Sequence, residues 1–215
     1  MKISSERLAY WFLRLNGFMT IYNFVVHPEE ADEHGHYHQR TDVDVMGVRF
    51  PYRQENRKRP MVDHDDFRDD HRIQLVLAET KSNACALNKT WRESSRQNME
   101  MALSAAGVLP PARIAEVAEE LYRKGTWSDE QLWVRWAFFG AKSNATLRKE
   151  FPSVPQFTWD REVLPFVFNR FNAYRYEKRA HAQWDMDAHG MFSEALAANG
   201  DLNLFIRKVN VVEPA

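Results

Sequence analysis

The chain has 215 residues, 44% hydrophobic and 27% charged, which allows an ordinary buried core and excludes a disordered composition. Lys+Arg 29 against Asp+Glu 30 leaves a net charge of -1. No global basic field therefore points to nucleic acid, and any such contact must come from a local patch. The single cysteine, Cys85, excludes an internal disulfide framework and a multi-cysteine zinc site.

The length fits one domain, or one domain with a sizeable appendage. No segment approaches the ~18 consecutive apolar residues of a membrane span. Near the N-terminus, Glu6, Arg7 and Arg14 interrupt the stretch where a secretory leader needs an uncharged core. These features predict a soluble, cytoplasmic protein with no membrane partner.

Residues 4–16 read as a helix, capped by Ser4 or Ser5, with Leu8, Phe12 and Leu15 at helical spacing and Gly17 as its stop. FMTIYNFVV (18–26) is β-branched and aromatic and reads as a strand. TDVDVMGVRF (41–50) and RIQLVLAETKS (72–82) read as two further strands, after polar intervals at 27–40 and 51–71. Helices are predicted at 88–106 and 111–124, broken by Gly107 to Pro111. A fourth strand, 131–140, alternates Leu132, Val134, Trp136 and Phe138. Helices near 160–179 and 187–198 and an apolar segment, 202–212, close the chain. The order α-β-β-β-α-α-β-α-α predicts an α/β fold with a mostly antiparallel start.

Period-two alternation puts Asp42 and Asp44 on one face of the second strand, with Val43, Val45 and Val48 as candidates for packing. One face of the third strand runs Ile73, Leu75, Leu77, Glu79, Lys81, an apolar stretch ending in a carboxylate and an ammonium. If these strands pair, about 4.8 Å apart, Asp44 and Glu79 come within reach of one metal ion. Hard oxygen ligands suit Mg²⁺ (or Mn²⁺), which binds through one or two carboxylates and completes its shell with water and phosphate oxygens. Lys81 could then orient an attacking water or stabilise charge on the phosphorus, which is the chemistry of phosphodiester hydrolysis. The same residues also fit a surface strand end with an ordinary Glu-x-Lys.

Asp44 followed one strand later by Glu79-Thr80-Lys81 resembles the D…(D/E)xK signature of the restriction-endonuclease-like (PD-(D/E)xK) nuclease superfamily. The N-terminal helix with Glu6, eleven residues before the Gly17-Phe18 pair that opens a strand, is similar to the Holliday-junction-resolvase-like branch. TDVDVMGV is similar to that branch's G-E-I-D-L-I-type strand. The likeness covers roughly residues 5–106, lacks a Pro before the Asp, and has longer, more charged loops between strands. It implies Asp44 and Glu79 as metal ligands, Lys81 as catalytic lysine and Glu6 as an accessory acid. Gln97 stands where some members carry a polar residue.

The resemblance further implies a core of helix, three-to-four-stranded mixed sheet and helix over residues 1–140, with a helical C-terminal extension, 141–215, packed on it. It implies a metal-dependent nuclease whose partner is nucleic acid, DNA ahead of RNA, with a homodimer or a larger complex as possible assemblies. The alternative is a non-catalytic nucleic-acid- or protein-binding module on the same fold within a larger assembly.

Other motifs have plainer readings. His27, His34, His36 and His38 alternate with acids and glycine, which suits a solvated loop better than a metal site. The charged interval 51–72 reads as a solvated excursion, although Arg53, Arg57, Lys58 and Arg59 could touch phosphates. Phe166, Phe168, Phe171, Tyr174 and Tyr176 interleave with Arg170, Arg175, Lys178 and Arg179, which fits either base stacking or a core helix with a charged face. Trp127, Trp133, Trp136, Trp159 and Trp184 read as core anchors, and Cys85 as a small buried residue.

Overall fold

Ser4 caps the first helix by accepting a hydrogen bond from the Arg7 N–H at 3.2 Å, and the helix ends at Asn16 with Gly17 at φ 85. Between those signals, Leu8, Ala9, Phe12 and Leu13 are fully buried, which fixes the helix against the sheet. The computed structural model describes residues 1–27, 34–36, 40–68, 71–179 and 184–214.

In chain order the first half forms β1 (Lys2–Ser4), α1 (Ser5–Leu15), β2 (Met19–Val26), β3 (Thr41–Arg49) and β4 (Ile73–Thr80). Next come α2 (Asn98–Ala106), α3 (Ile114–Lys124), β5 (Thr126–Ser128) and β6 (Leu132–Gly140). The remainder is α4 (Ala145–Glu150), β7 (Gln156–Thr158), a π turn at Trp159–Val163, α5 (Leu164–Ala173), α6 (Met186–Ala197), α7 (Leu202–Lys208) and β8 (Asn210–Val212).

The result is an α/β fold with a mixed sheet. Among the described residues it has six strands in the order β2-β3-β4-β6-β5, with β7 also on β6, where three or four were expected. The additional strands, β5 and β7, are three residues long, too short for alternation to show in sequence. β2, β3 and β4 are antiparallel neighbours, whereas β4 and β6 run parallel. A separate parallel pair joins β1 to β8.

Two apolar clusters sandwich the sheet. One holds Phe12 of α1, Val76 and Ala78 of β4, Phe139 of β6 and Phe171 of α5. The other holds Leu75 and Leu77, Val134, Trp136 and Phe138 with Leu103 of α2 and Leu121 of α3. Strands β4 and β6 are thus buried on both faces, as expected of parallel neighbours. Residues 141–215 supply β7 to the main sheet, β8 to the pair with β1, and much of the α1-side core.

Several sequence expectations need correcting. The stretch 88–106 is not one helix: 3-10 turns occupy Lys89–Trp91 and Ser94–Arg96, and Gln97 at φ 55 breaks the chain before α2. The helix near 160–179 is α5 alone, preceded by the π turn and followed by turns. Much of the described part of 51–72 is exposed, as expected, but Asp63 and Phe67 are buried and tie it to the core. Phe168 and Phe171 are core, and Arg170 and Lys178 are buried in ion pairs, so the helix offers no row of aromatics for stacking. His38 lies outside the described residues, while His27, His34 and His36 are exposed. No helix among the described residues is long and apolar enough to cross a membrane.

Gly140 shows how tightly the sheet's end is packed. A Cβ there would lie 2.6 Å from the Cys85 nitrogen and 2.7 Å from the Asn83 oxygen, both backbone atoms. Gly140→Ala is expected to push residues 83–85 off the end of β6 and to lower stability by about 1–3 kcal/mol, read from urea unfolding.

Candidate active site

The β3–β4 ladder runs from Arg49↔Gln74 to Val45↔Ala78 and stops there. Beyond it the strands part company. β4 continues alongside β6 to Thr80↔Phe139, and β3 continues alongside β2 to Thr41↔Val26. One step past the last pair come Asp44 of β3 and Glu79 of β4, at the mouth of this fork and close enough for the Asp44 charge to act on Glu79.

Asp44 fills the gap in the ladder. Its Oδ2 accepts from the Thr80 N–H at 2.6 Å and from the Thr80 hydroxyl at 3.0 Å, and the Ser5 hydroxyl lies 3.3 Å from that same hydroxyl. On the other side, Asn23 of β2 faces Asp44 between the pairs Tyr22↔Val45 and Phe24↔Val43, and adopts φ 52. A left-handed non-glycine residue at this point is backbone strain beside the acid. The expected packing pair Val43 and Val45 is also split here: Val45 enters the α1-side cluster and Val43 the opposite one.

Glu79 is wholly buried. Its Oε1 accepts from Lys81 Nζ at 2.7 Å, and its Oε2 is buried with no hydrogen-bond partner among the described residues. Lys81 follows the end of β4 and folds back, donating also to the Thr80 carbonyl at 3.0 Å. Its backbone is held by Phe139 O at 3.0 Å and by the Trp159 indole N–H at 3.2 Å. Glu6, in the first turn of α1, is half-buried beside the same acids.

The electrostatics follow from crowding. Burial first, then repulsion from Asp44, pushes Glu79 up to about 8. Burial, followed by Asp44 and Asp42, pushes Glu6 up to about 7. Asp44 is raised by burial, against the opposing Thr80 N–H. For Lys81 burial works downwards, but the Glu79 carboxylate outweighs it and the ammonium is held above its ordinary range.

The fork thus brings together Glu6, Asp44, Glu79 and Lys81, with Asp42 close enough to add its charge. It leaves out Gln97, which is exposed at the start of α2 beside Glu100 and Met101. Cys85 is buried, and burial pushes its thiol up to about 11, so it is no nucleophile at neutral pH. Among the described residues no point is surrounded by three or more His, Cys, Asp or Glu side chains able to hold a metal. Mg²⁺ does not need three, since it binds through one or two carboxylates and keeps its water. The neighbouring Asp44 and Glu79 carboxyls, with Glu79 Oε2 unpartnered among the described residues, fit that requirement.

Sequence reasoning missed the roles of Thr80, which clamps Asp44, of Ser5, which meets the Thr80 hydroxyl, and of Trp159, which holds the Lys81 carbonyl. Thr80 lay in plain view between Glu79 and Lys81, whereas Ser5 and Trp159 carried no signal. Comparison with protein-family models, curated proteins and solved structures finds no match to this chain.

Proposed function

We propose that the chain is a metal-dependent nuclease with a restriction-endonuclease-like core, hydrolysing phosphodiester bonds in nucleic acid, DNA ahead of RNA. The observation that carries this reading is the β3–β4 fork, where the Asp44 charge acts on buried Glu79, Lys81 donates to Glu79, and one Glu79 oxygen has no partner among the described residues. A carboxyl buried with one oxygen unsatisfied is costly, and such cost concentrates at functional sites.

Asp44 and Glu79 would hold a divalent ion (Mg²⁺ or Mn²⁺), which when bound polarises the scissile phosphate and acidifies the attacking water. Thr80 fixes the orientation of Asp44. Lys81 keeps its ammonium beside Glu79, where its charge can orient the water and stabilise the negative charge that develops on phosphate oxygens. Glu6, titrating near neutrality, can accept the proton that the water gives up.

The test is cleavage of linear duplex, single-stranded and branched DNA and of RNA in Mg²⁺ or Mn²⁺. Asp44→Ala, Glu79→Ala and Lys81→Ala should each lose roughly 100-fold or more of the activity. The near-neutral charge favours one rival, a binding module without catalysis. A folded wild type that cleaves nothing, and whose melting temperature Mn²⁺ does not raise, would decide for the rival.

A further inference from the structure

Residues 202–212 bring a second element to the same site. Phe205 of α7 is fully buried and Val209 nearly so, which fixes the path into β8. β8 pairs with β1 in the register Lys2↔Asn210, Ile3↔Val211, Ser4↔Val212. Glu213 is therefore carried past Ser4, alongside the first turn of α1 that holds Ser5 and Glu6.

Glu213 is exposed, yet its carboxylate is engaged with the chain. Its Oε1 accepts from both the backbone N–H of Ser82, at 3.1 Å, and the Ser82 hydroxyl. Ser82 directly follows Lys81. The turn that carries the lysine is thus gripped from three sides: by Phe139 of β6, by Trp159 of the π turn and by Glu213 after β8. The first two hold Lys81 itself, and Glu213 closes the turn beyond it.

We infer that Glu213 is a positioning residue for the proposed hydrolysis, holding the Lys81–Ser82 turn so that the ammonium stays on Glu79. The inference rests on the hydrolytic reading of the site. Through the β1–β8 pair, the same contact couples this turn to the helix start that supplies Ser5 to Thr80 and Glu6 to the acid group. Its charge acts on both sides of the fork, raising Glu6 and helping to keep Lys81 protonated.

The experiment compares the full chain with Glu213→Ala, which removes the acceptor, and Glu213→Gln, which keeps an acceptor oxygen without the charge. Three quantities are read: hydrogen exchange of the Ser82 amide, the melting shift on adding Mn²⁺, and kcat and KM on whichever nucleic acid the wild type cleaves. Glu213→Ala should speed Ser82 exchange and lower kcat roughly tenfold at unchanged KM and unchanged metal-free melting temperature, the scale typical of an outer-shell partner. Glu213→Gln should recover most of that loss. A wild type that cleaves and a Glu213→Ala variant that cleaves equally well would overturn the positioning role alone. A wild type that neither cleaves nor responds to Mn²⁺ would overturn the hydrolytic reading, and the positioning role with it.

Discussion

Glu79→Gln is expected to stabilise the metal-free protein at alkaline pH and to abolish cleavage, two effects of opposite sign from one substitution. Burial and the neighbouring Asp44 push the Glu79 carboxyl up to about 8 from an ordinary value of 4.5, and the Lys81 ammonium opposes this without cancelling it. A carboxyl with a higher pKa in the folded state binds its proton more tightly there than in the unfolded chain. Its contribution to stability is therefore fully present below the ordinary value and is lost as pH rises through about 8. Glutamine cannot ionise and escapes the loss.

By about pH 8.5 the variant should be more stable than wild type by roughly 2–4 kcal/mol, while near pH 4.5 the two should differ little. The measurement is urea unfolding across that range, with the midpoint moving at unchanged slope. A difference independent of pH would sink the electrostatic account. Mn²⁺ should raise the wild-type melting temperature increasingly as pH rises, because its ligands must be deprotonated, and should leave Glu79→Gln unmoved. A residue whose neutralisation strengthens the fold and removes the activity is one kept at a cost in stability.

The main strands were legible because each carried a periodic signal of adequate length. Leu132, Val134, Trp136 and Phe138 alternate along β6 and do face one apolar cluster. The α1 cap and stop were equally clear in Ser4 and Gly17. What escaped was decided by contacts remote in sequence. β8 exists because it lies against β1, more than two hundred residues away, and three residues hold no pattern of their own. The 88–106 stretch has helical composition, yet Gln97 at φ 55 interrupts it, and glutamine gives no warning of that conformation.

The candidate site was legible in its carboxylates and lysine, since Asp44 and Glu79 sit on patterned strands and Lys81 directly follows the second of them. Its geometry was not. Period-two alternation puts Val43 and Val45 on one face, whereas the fork and the strained Asn23 opposite Asp44 turn them to different faces. A ladder that stops short of its strand ends is a tertiary event, set here by β4 following β6 while β3 follows β2.

Asp63→Asn is expected to cost the most stability of any single substitution considered, about 3–5 kcal/mol. Asp63 is buried among three guanidinium groups, Arg49 at 2.9 Å and Arg53 and Arg170 each at 3.1 Å. Glu55, the other acid of the cluster, meets Arg53, Arg170 and Lys178. Removing the charge from Asp63 takes away the carboxylate that Arg49, Arg53 and Arg170 share, and Arg49 and Arg170 are buried. Water cannot reach them to compensate, so breaking the group costs far more than forming it ever gains.

The same guanidiniums also cap the end of α1. Arg170 donates to Leu15 O at 2.6 Å and Arg49 to Asn16 O at 3.2 Å, satisfying carbonyls that the helix leaves free. A loosened cluster therefore frees the far end of the helix whose first turn carries Ser5 and Glu6, and activity should fall together with stability. Asp65→Asn is the control. Its neighbouring position in sequence and its pair with Arg68 look similar on paper, but the Asp65 side chain is 80% exposed, and such pairs contribute little. Urea unfolding should separate the two variants clearly. Equal midpoints would mean that the buried cluster is no more than a surface-like ion pair, and that another contact pins residues 51–68 to the core.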